Sequence, residues 1–333
     1  MIVIVSGDPI DYGLLTGDRT SAAGNFLKAA LSQVGIEWRD AQFFSLFSES
    51  VPDIKPLCGK QNESIPGTYA VLKGKYLKAE YGPTLRAFWN KINYAKPTVI
   101  IALGSLGQWA VTGESNMKNF RGTFLEGLSD INKVKVISTY TPQAVFKEWK
   151  VRPVFFADLE KAAKNSTFSE IRRPRRSIFI EPTYDDLLSF EAEYITPSPW
   201  LSIDIETSGR AITCLSIAPS PTVSLVIPFL MNQGRLYWKT LEEEVRVWEW
   251  IKRICALDKC AVFQNGMYDM HHLWRNYGIP VMAAANGEDS MLLHHALQPE
   301  MEKGLRFLGS IYTQEQAWKF MGRRNVDTIK RED

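Results

Sequence analysis

Hydrophobic residues in the first half of the chain come in short unbroken runs that alternate with longer stretches of helical spacing. "IVIVSG", "PTVIIALG" and "VKVISTYTP" are apolar at consecutive positions, the pattern of strands buried on both faces. "SAAGNFLKAALSQVG", "SLGQWAVTG" and "PVFFADLEKAAKN" instead repeat apolar residues every three or four positions, and the first two close on the Gly that favours a helix end. Strands separated by helices predict a mostly parallel sheet covered on both faces, a three-layer α/β/α domain over residues 1–165.

Over residues 166–177 the texture becomes polar, basic and Pro-broken, "STFSEIRRPRRS", which predicts a linker. Arg172, Arg173, Arg175 and Arg176 read equally as a solvated hinge and as phosphate contacts. Residues 178–333 then show a different order. "IFIEPTYDDLLSFEAEY" gives a strand, a turn and an amphipathic helix, and "WLSIDIETSG", "AITCLSIAPS" and "TVSLVIPFL" follow as three strands joined by Gly and Pro turns, a meander. "LEEEVRVWEWIKRICAL" is a helix with acids early and bases late, as its dipole prefers, and its Trp248 and Trp250, like nearby Trp238, read as core. "CAVFQNGMYDMHHLWRNYG" runs from a strand into a helix, so the second domain is predicted as a mixed sheet flanked by helices.

Composition narrows the possibilities. A chain of 333 residues suggests about two domains, and 45% hydrophobic with 23% charged residues is the balance of a soluble globular protein. Net charge is only +2, so an anionic partner must be held by local clusters such as the Arg run. Cys58, Cys214, Cys255 and Cys260 contain no CxxC pair, which argues against a zinc site or a disulfide framework and fits a reducing cytoplasm. The opening apolar run is too short for a signal peptide, and no stretch reaches the roughly 18 uninterrupted apolar residues that span a bilayer.

The candidate chemistry begins at "SIDIETSG", residues 202–209. Alternation along a strand puts Ile203 and Ile205 on one face and Asp204 and Glu206 on the other, with Cα atoms about 7 Å apart. Two like charges that close are relieved by protonating one or by binding a cation, although a wet polar face would have the same pattern. Further on, Asn265 and Asp269 are four apart and would share a helix face beyond the strand "CAVF", the end of a sheet strand where open α/β sheets place ligands. Asp289 is a third acid delivered toward that edge. Adjacent histidines on a helix point about 100° apart, so His271, His272, His294 and His295 read as packing or surface residues.

These motifs in this order, "SIDIETSG", "FQNGMYDMHHL" and "DSMLLHHALQPEMEKGLRFLGSIYTQEQAWK", resemble the proofreading 3′–5′ exonuclease domain of phage-type family A DNA polymerases, within the DEDD superfamily, over about residues 178–320. The resemblance implies a ribonuclease H-like fold, with Asp204, Glu206 and Asp269 as ligands of two Mg²⁺ or Mn²⁺ ions and as the catalytic carboxylates. It also implies that Asn265 and Thr207 lie along the DNA, and that the partners are single-stranded DNA, DNA 3′ ends and a polymerase domain or subunit. Two divalent ions about 4 Å apart would activate a water and stabilise the leaving oxygen. The family's third motif, a Tyr or His followed by an Asp, does not occur before Asp333; Asp327 and Asp333 lack the companion residue. That implies a fragment of a longer polymerase or an incomplete site.

The first half, with "VSGDPIDYG", "PTVIIALGSLGQWAVTG", "NFRGTFLEG" and "VKVISTYTPQAV", resembles the uracil-DNA glycosylase superfamily, nearest its family 4 members. The resemblance places Gly7, Asp8 and Pro9 at the family's Gly-Glu-Ala-Pro-Gly loop, Arg19 at its base-stacking aromatic, and Thr141 at its catalytic His. A hydroxyl cannot supply the His donor, and the cysteines for an iron–sulfur cluster are missing except for Cys58, so no such cluster is expected. The implied role is a DNA-facing scaffold; an active glycosylase and a purely DNA-gripping or polymerase-docking module are the alternatives. Lys73, Lys75, Tyr76 and Lys78 offer a basic, aromatic surface or an ordinary exposed helix face.

Overall fold

The computed structural model describes residues 1–8, 22–49, 51, 53–231, 234–281 and 287–315. By contact the chain divides into two units, Met1–Arg173 with the residues from Arg306 onward, and Pro174–Leu305.

In the first unit β1 (Ile2–Ser6), β2 (Ala41–Ser45), β5 (Val99–Leu103), β6 (Phe124–Glu126) and β7 (Lys135–Thr139) form a sheet of order β2-β1-β5-β7-β6, while β3 (Cys58–Gly59) and β4 (Tyr76–Leu77) make a separate small ladder. All neighbours in the large sheet are parallel except the last, β6, which runs antiparallel to β7. Alternate residues of each central strand feed opposite cores. Val3, Val5, Ile100 and Ala102 pack with Leu85, Phe88, Ile92 and Trp109, while Ile2, Ile4, Val99 and Ile101 pack with Leu27, Leu31, Phe155 and Leu159. The three-layer α/β/α arrangement follows from strands that are apolar on both faces. The helix Gly104–Thr112 lies so close that a Cβ at Gly107 would sit 3.1 Å from the Val5 carbonyl oxygen, a tight contact that any larger residue would have to relieve by a small shift. The segment 73–78 is not a helix but the loop and short strand around β4, and Lys78 Nζ bonds the Pro56 carbonyl at 2.8 Å.

Residues 306–315 extend the first unit instead of continuing the second, through a polar cluster centred on the buried Arg121. Arg121 and Asp158 pair at 2.7 Å with almost no exposure, and Thr139 Oγ1 donates to the other Asp158 oxygen at 2.7 Å. The second Arg121 nitrogen bonds the Ser310 hydroxyl, Lys161 Nζ reaches the Thr313 carbonyl at 2.6 Å, and Arg306 donates to Asn119 at 2.7 Å. Once Arg121 is buried, its remaining donors need partners, and Ser310 supplies one.

The second unit holds a six-stranded sheet of order β13-β12-β9-β10-β11-β8, made of β8 (Ser177–Phe179), β9 (Trp200–Ser208), β10 (Ala211–Ser220), β11 (Val223–Pro228), β12 (Cys260–Phe263) and β13 (Gly287–Asp289). β9, β10 and β11 are the antiparallel meander, and β8, β12 and β13 add in parallel, so this α/β sheet is mixed. One face of β9, Leu201, Ile203 and Ile205, packs against Val247, Trp250, Ile251 and Ile254 of the helix Leu241–Cys255. Thr240 caps that helix, with Glu242, Glu243 and Glu244 in the first turn and Lys252 and Arg253 in the last. Trp248 stacks between Phe229 and Tyr277 at 4.1 and 3.6 Å, partly buried against the core that holds Trp238 and Trp250. Residues 171–176 adopt no regular structure. Among the described residues no helix is long and apolar enough to cross a membrane.

Replacing Asp158 by Ala leaves Arg121 buried without its counter-charge. Urea unfolding should show a loss of about 3–5 kcal/mol, and a loss below about 1 kcal/mol would mean that the pair does not hold the first unit together.

Candidate active site

β9 alternates buried and exposed positions along its length, so Asp204 and Glu206 stand together on the face turned from the core. The strand is also distorted there. Opposite it, β10 shifts register between Ile212, which pairs with Thr207, and Cys214, which pairs with Glu206, leaving Thr213 as an extra residue. Thr213 Oγ1 donates to the Glu206 carbonyl at 3.0 Å, and a bulge of this kind re-aims the side chains beside it.

Asp269 reaches the same strand from the helix Met267–Tyr277. It is 5% exposed, and its Oδ1 accepts the backbone N–H of Ile205 at 2.9 Å, between the two β9 carboxylates. Burial pushes the Asp269 carboxyl up to about 6; the Ile205 N–H partly opposes that rise, and the Asp204 and Asp289 charges add to it. The Cys214 thiol is likewise raised by burial and by Glu206 and Asp204. The Asp269 carboxyl thus feels the charges of Asp204 and Asp289.

Asn265 lies outside the helix, so it shares no helix face with Asp269. Its φ of +60° makes it the left-handed residue that turns β12 into the helix. Asp289 holds that turn from β13: its carboxylate accepts the N–H groups of Asn265 and Gly266 at 3.1 and 2.7 Å, and that of Met291 at 2.8 Å as the cap of the helix Ser290–Leu297. Burial alone would raise the Asp289 carboxyl, but these backbone donors, with Leu292, hold it below its usual value. Asp289 thus acts as a positioning residue for the start of the Asp269 helix. Sequence reading missed this, although an Asp directly before "SMLLHHAL" is an N-cap signal.

It also missed Tyr268. Its hydroxyl lies 2.5 Å from Thr207 Oγ1, and Tyr268 is 48% exposed beside the acidic face. The spacing of one residue from Asp269 on the helix was the available signal.

The remaining candidates lie elsewhere. All four arginines of 172–176 are exposed: Arg172 pairs with Glu170 at 3.8 Å and lies over Phe168, Arg173 bonds the Phe124 carbonyl at 3.4 Å, and Arg176 the Pro221 carbonyl at 3.2 Å. In the first unit a Cβ on Gly7 would collide with Leu106, Asp8 accepts the Val51 N–H at 3.0 Å, and the Thr141 hydroxyl caps the helix Pro142–Lys147 through the Ala144 N–H. These groups are engaged in packing and capping. Pro9, Arg19, Asp327 and Asp333 lie outside the described residues.

Among the described residues no group of three or more His, Cys, Asp or Glu side chains is set to hold a metal ion. The donor set still suits a hard cation, because Asp204 opposes ionisation of the buried Asp269 and a nearby divalent charge would reverse that effect. Mg²⁺ keeps several waters and binds through one or two carboxylates plus a substrate phosphate, so it does not require a complete protein cage.

No protein-family model matches the chain, and no curated protein matches it. Among solved structures it is similar to the EXD2 exonuclease domain soaked in Mn and GMP, at 16% identity over 40% of this chain and 68% of that one, with a TM-score of 0.28. It is similar also to the Aedes aegypti Nibbler EXO domain, at 11% identity over 45% and 75% of the two chains and a TM-score of 0.33. Brucella melitensis NrnC with bound Mg²⁺ is 16% identical over 41% of this chain and 59% of that one, with a TM-score of 0.27.

Because the Asp269 carboxyl rises from 3.8 to about 6 on folding, the folded protein binds the extra proton between those values. Metal-free protein should therefore gain stability as pH falls from 7 toward 4. Asp269→Asn, which keeps an oxygen for the Ile205 N–H, should be more stable than the parent by about 3 kcal/mol at pH 8 and close to it near pH 4 in chelator. Parallel pH–stability curves for the two proteins would show that Asp269 is not perturbed.

Proposed function

We propose that this chain is a divalent-metal-dependent 3′–5′ exodeoxyribonuclease that trims single-stranded DNA ends, the proofreading part of a phage-type family A DNA polymerase working in the cytoplasm. The observation that carries the reading is the Asp269 carboxylate hydrogen-bonded to the Ile205 N–H, between Asp204 and Glu206 on the open face of β9. Asp204, Glu206 and Asp269 are the groups that would hold Mg²⁺ or Mn²⁺. Bound there, the metal would lower the pKa of a water and offset charge on the leaving oxygen.

The chain's own groups supply the rest. Glu206 on the exposed face orients the attacking water, and Asp269 keeps its place through the β9 backbone. Tyr268, bonded to Thr207, borders the acidic face as a contact for the terminal nucleotide, and Asn265 leads the chain to it. Arg172, Arg173, Arg175 and Arg176 are exposed cations that would contact the phosphate backbone. The first unit serves as a glycosylase-like scaffold without glycosylase chemistry; the Thr141 hydroxyl, already spent on a helix cap, supports this.

A single-stranded oligonucleotide labelled at its 5′ end should be shortened one nucleotide at a time from the 3′ end in Mg²⁺ or Mn²⁺ and be untouched in EDTA. Asp204→Ala should lower the rate at least a hundredfold while leaving the melting temperature within a few degrees. Equal cleavage by that variant, or cleavage in EDTA, would refute the assignment. Alkali-labile breaks at uracil that persist in EDTA would instead reveal a working glycosylase in the first unit.

A further inference from the structure

The first unit carries an aromatic cluster whose outer rings are exposed. Phe26 of the helix Ala22–Gln33 is its hub: Phe146 lies 5.2 Å away edge-on, Trp149 6.3 Å, and the buried Phe155 5.6 Å beneath. Phe146 is 44% exposed and Trp149 59% exposed, the opposite of what burial of apolar area favours. Arg152 lies over Trp149 at 5.3 Å and over Phe156 at 4.6 Å, with its Nε buried and without a hydrogen-bond partner. The charges around these rings are mostly of one sign. Lys28, Lys147 and Lys150 are exposed, and the helices Ala22–Gln33 and Pro142–Lys147 contain no acid at all. Glu148 is the one acid in the run 142–152, and it pairs with Lys150 at 2.6 Å.

We propose that Phe146, Trp149 and Arg152, framed by Lys28 and Lys147, form a stacking platform for single-stranded nucleic acid. Exposed rings offer faces to bases of any sequence, and a rim of cations follows the phosphates, the combination that binds single strands without reading them. An apolar ligand would gain nothing from the cations, and a purely anionic one nothing from the rings. The identity of the occupant rests on the nuclease reading above, since that reading makes a single strand the polymer this protein handles.

The test uses the full chain in EDTA, so that nothing is cleaved, and a fluorescein-labelled 20-nucleotide oligo(dT) read by anisotropy. Trp149→Ala should weaken binding about tenfold and Trp149→Phe, which keeps a ring, by less than threefold. Lys147→Gln should weaken it more at low salt than at high salt and flatten the salt dependence. Equal affinity of parent and Trp149→Ala, with both folded by circular dichroism, would overturn the platform. So would binding of poly-glutamate that is as tight as oligo(dT) and equally sensitive to Trp149→Ala, which would mark an acidic-protein site. Binding that survives in a chain with no metal-dependent cleavage would spare the platform and sink the nuclease reading, and cleavage without an effect of Trp149→Ala on binding would do the reverse.

Discussion

Carboxylates brought together without a counter-charge push apart, so an acidic site needs something uncharged to hold it. In the second unit that is the hydrogen bond from the Ile205 N–H to Asp269. The amide is fixed in β9 by its ladder and cannot move away, and it draws in a side chain from a helix that follows a different strand. A partial positive charge on the backbone thus does locally what a cation would do more strongly. The cost remains visible in the Asp269 carboxyl, raised to about 6 by burial and by Asp204 despite that bond.

Around that bond the supports are arranged in layers. Asp289 ties the Asn265–Gly266 turn, the turn aims the helix, and the helix carries both Asp269 and Tyr268. On the other side, the extra residue Thr213 braces the Glu206 carbonyl. None of these supports faces the proposed chemistry directly, yet each sets a coordinate of a group that does. Sites of this kind lose function through loosening of such supports as readily as through loss of an acid.

Much of this was legible in the residues because the signal was local. Strict alternation in "LSIDIE" placed Ile203 and Ile205 inward and Asp204 and Glu206 outward, and the two-faced apolar runs of the first half correspond to a sheet with a core on each side. What was not legible involved partners far apart in the chain. Thr207 and Tyr268 are 61 residues apart, and Arg121 and Ser310 are 189 apart, so no periodicity within either segment announces the pair. Asn265 was misplaced for another reason. Helical spacing to Asp269 is compatible with a helix, but the sharp turn out of β12 demands a left-handed residue, and Asn accepts that conformation more easily than most. The stretch 73–78 was similarly ambiguous, since three lysines and a glycine in six residues fit a loop as well as a helix face.

The return of residues 306–313 to Arg121, Asn119 and Lys161 gives the chain a closed path. The polypeptide leaves the first unit near Arg173 and rejoins it at Arg306, so the intervening unit is bounded by two strands of backbone and not one. A protease that cut only within 171–176 would produce two fragments that still travel together, because the later fragment contains a segment, 306–313, held to the earlier one by polar bonds. Severing the two units from each other would take a second break near residue 305.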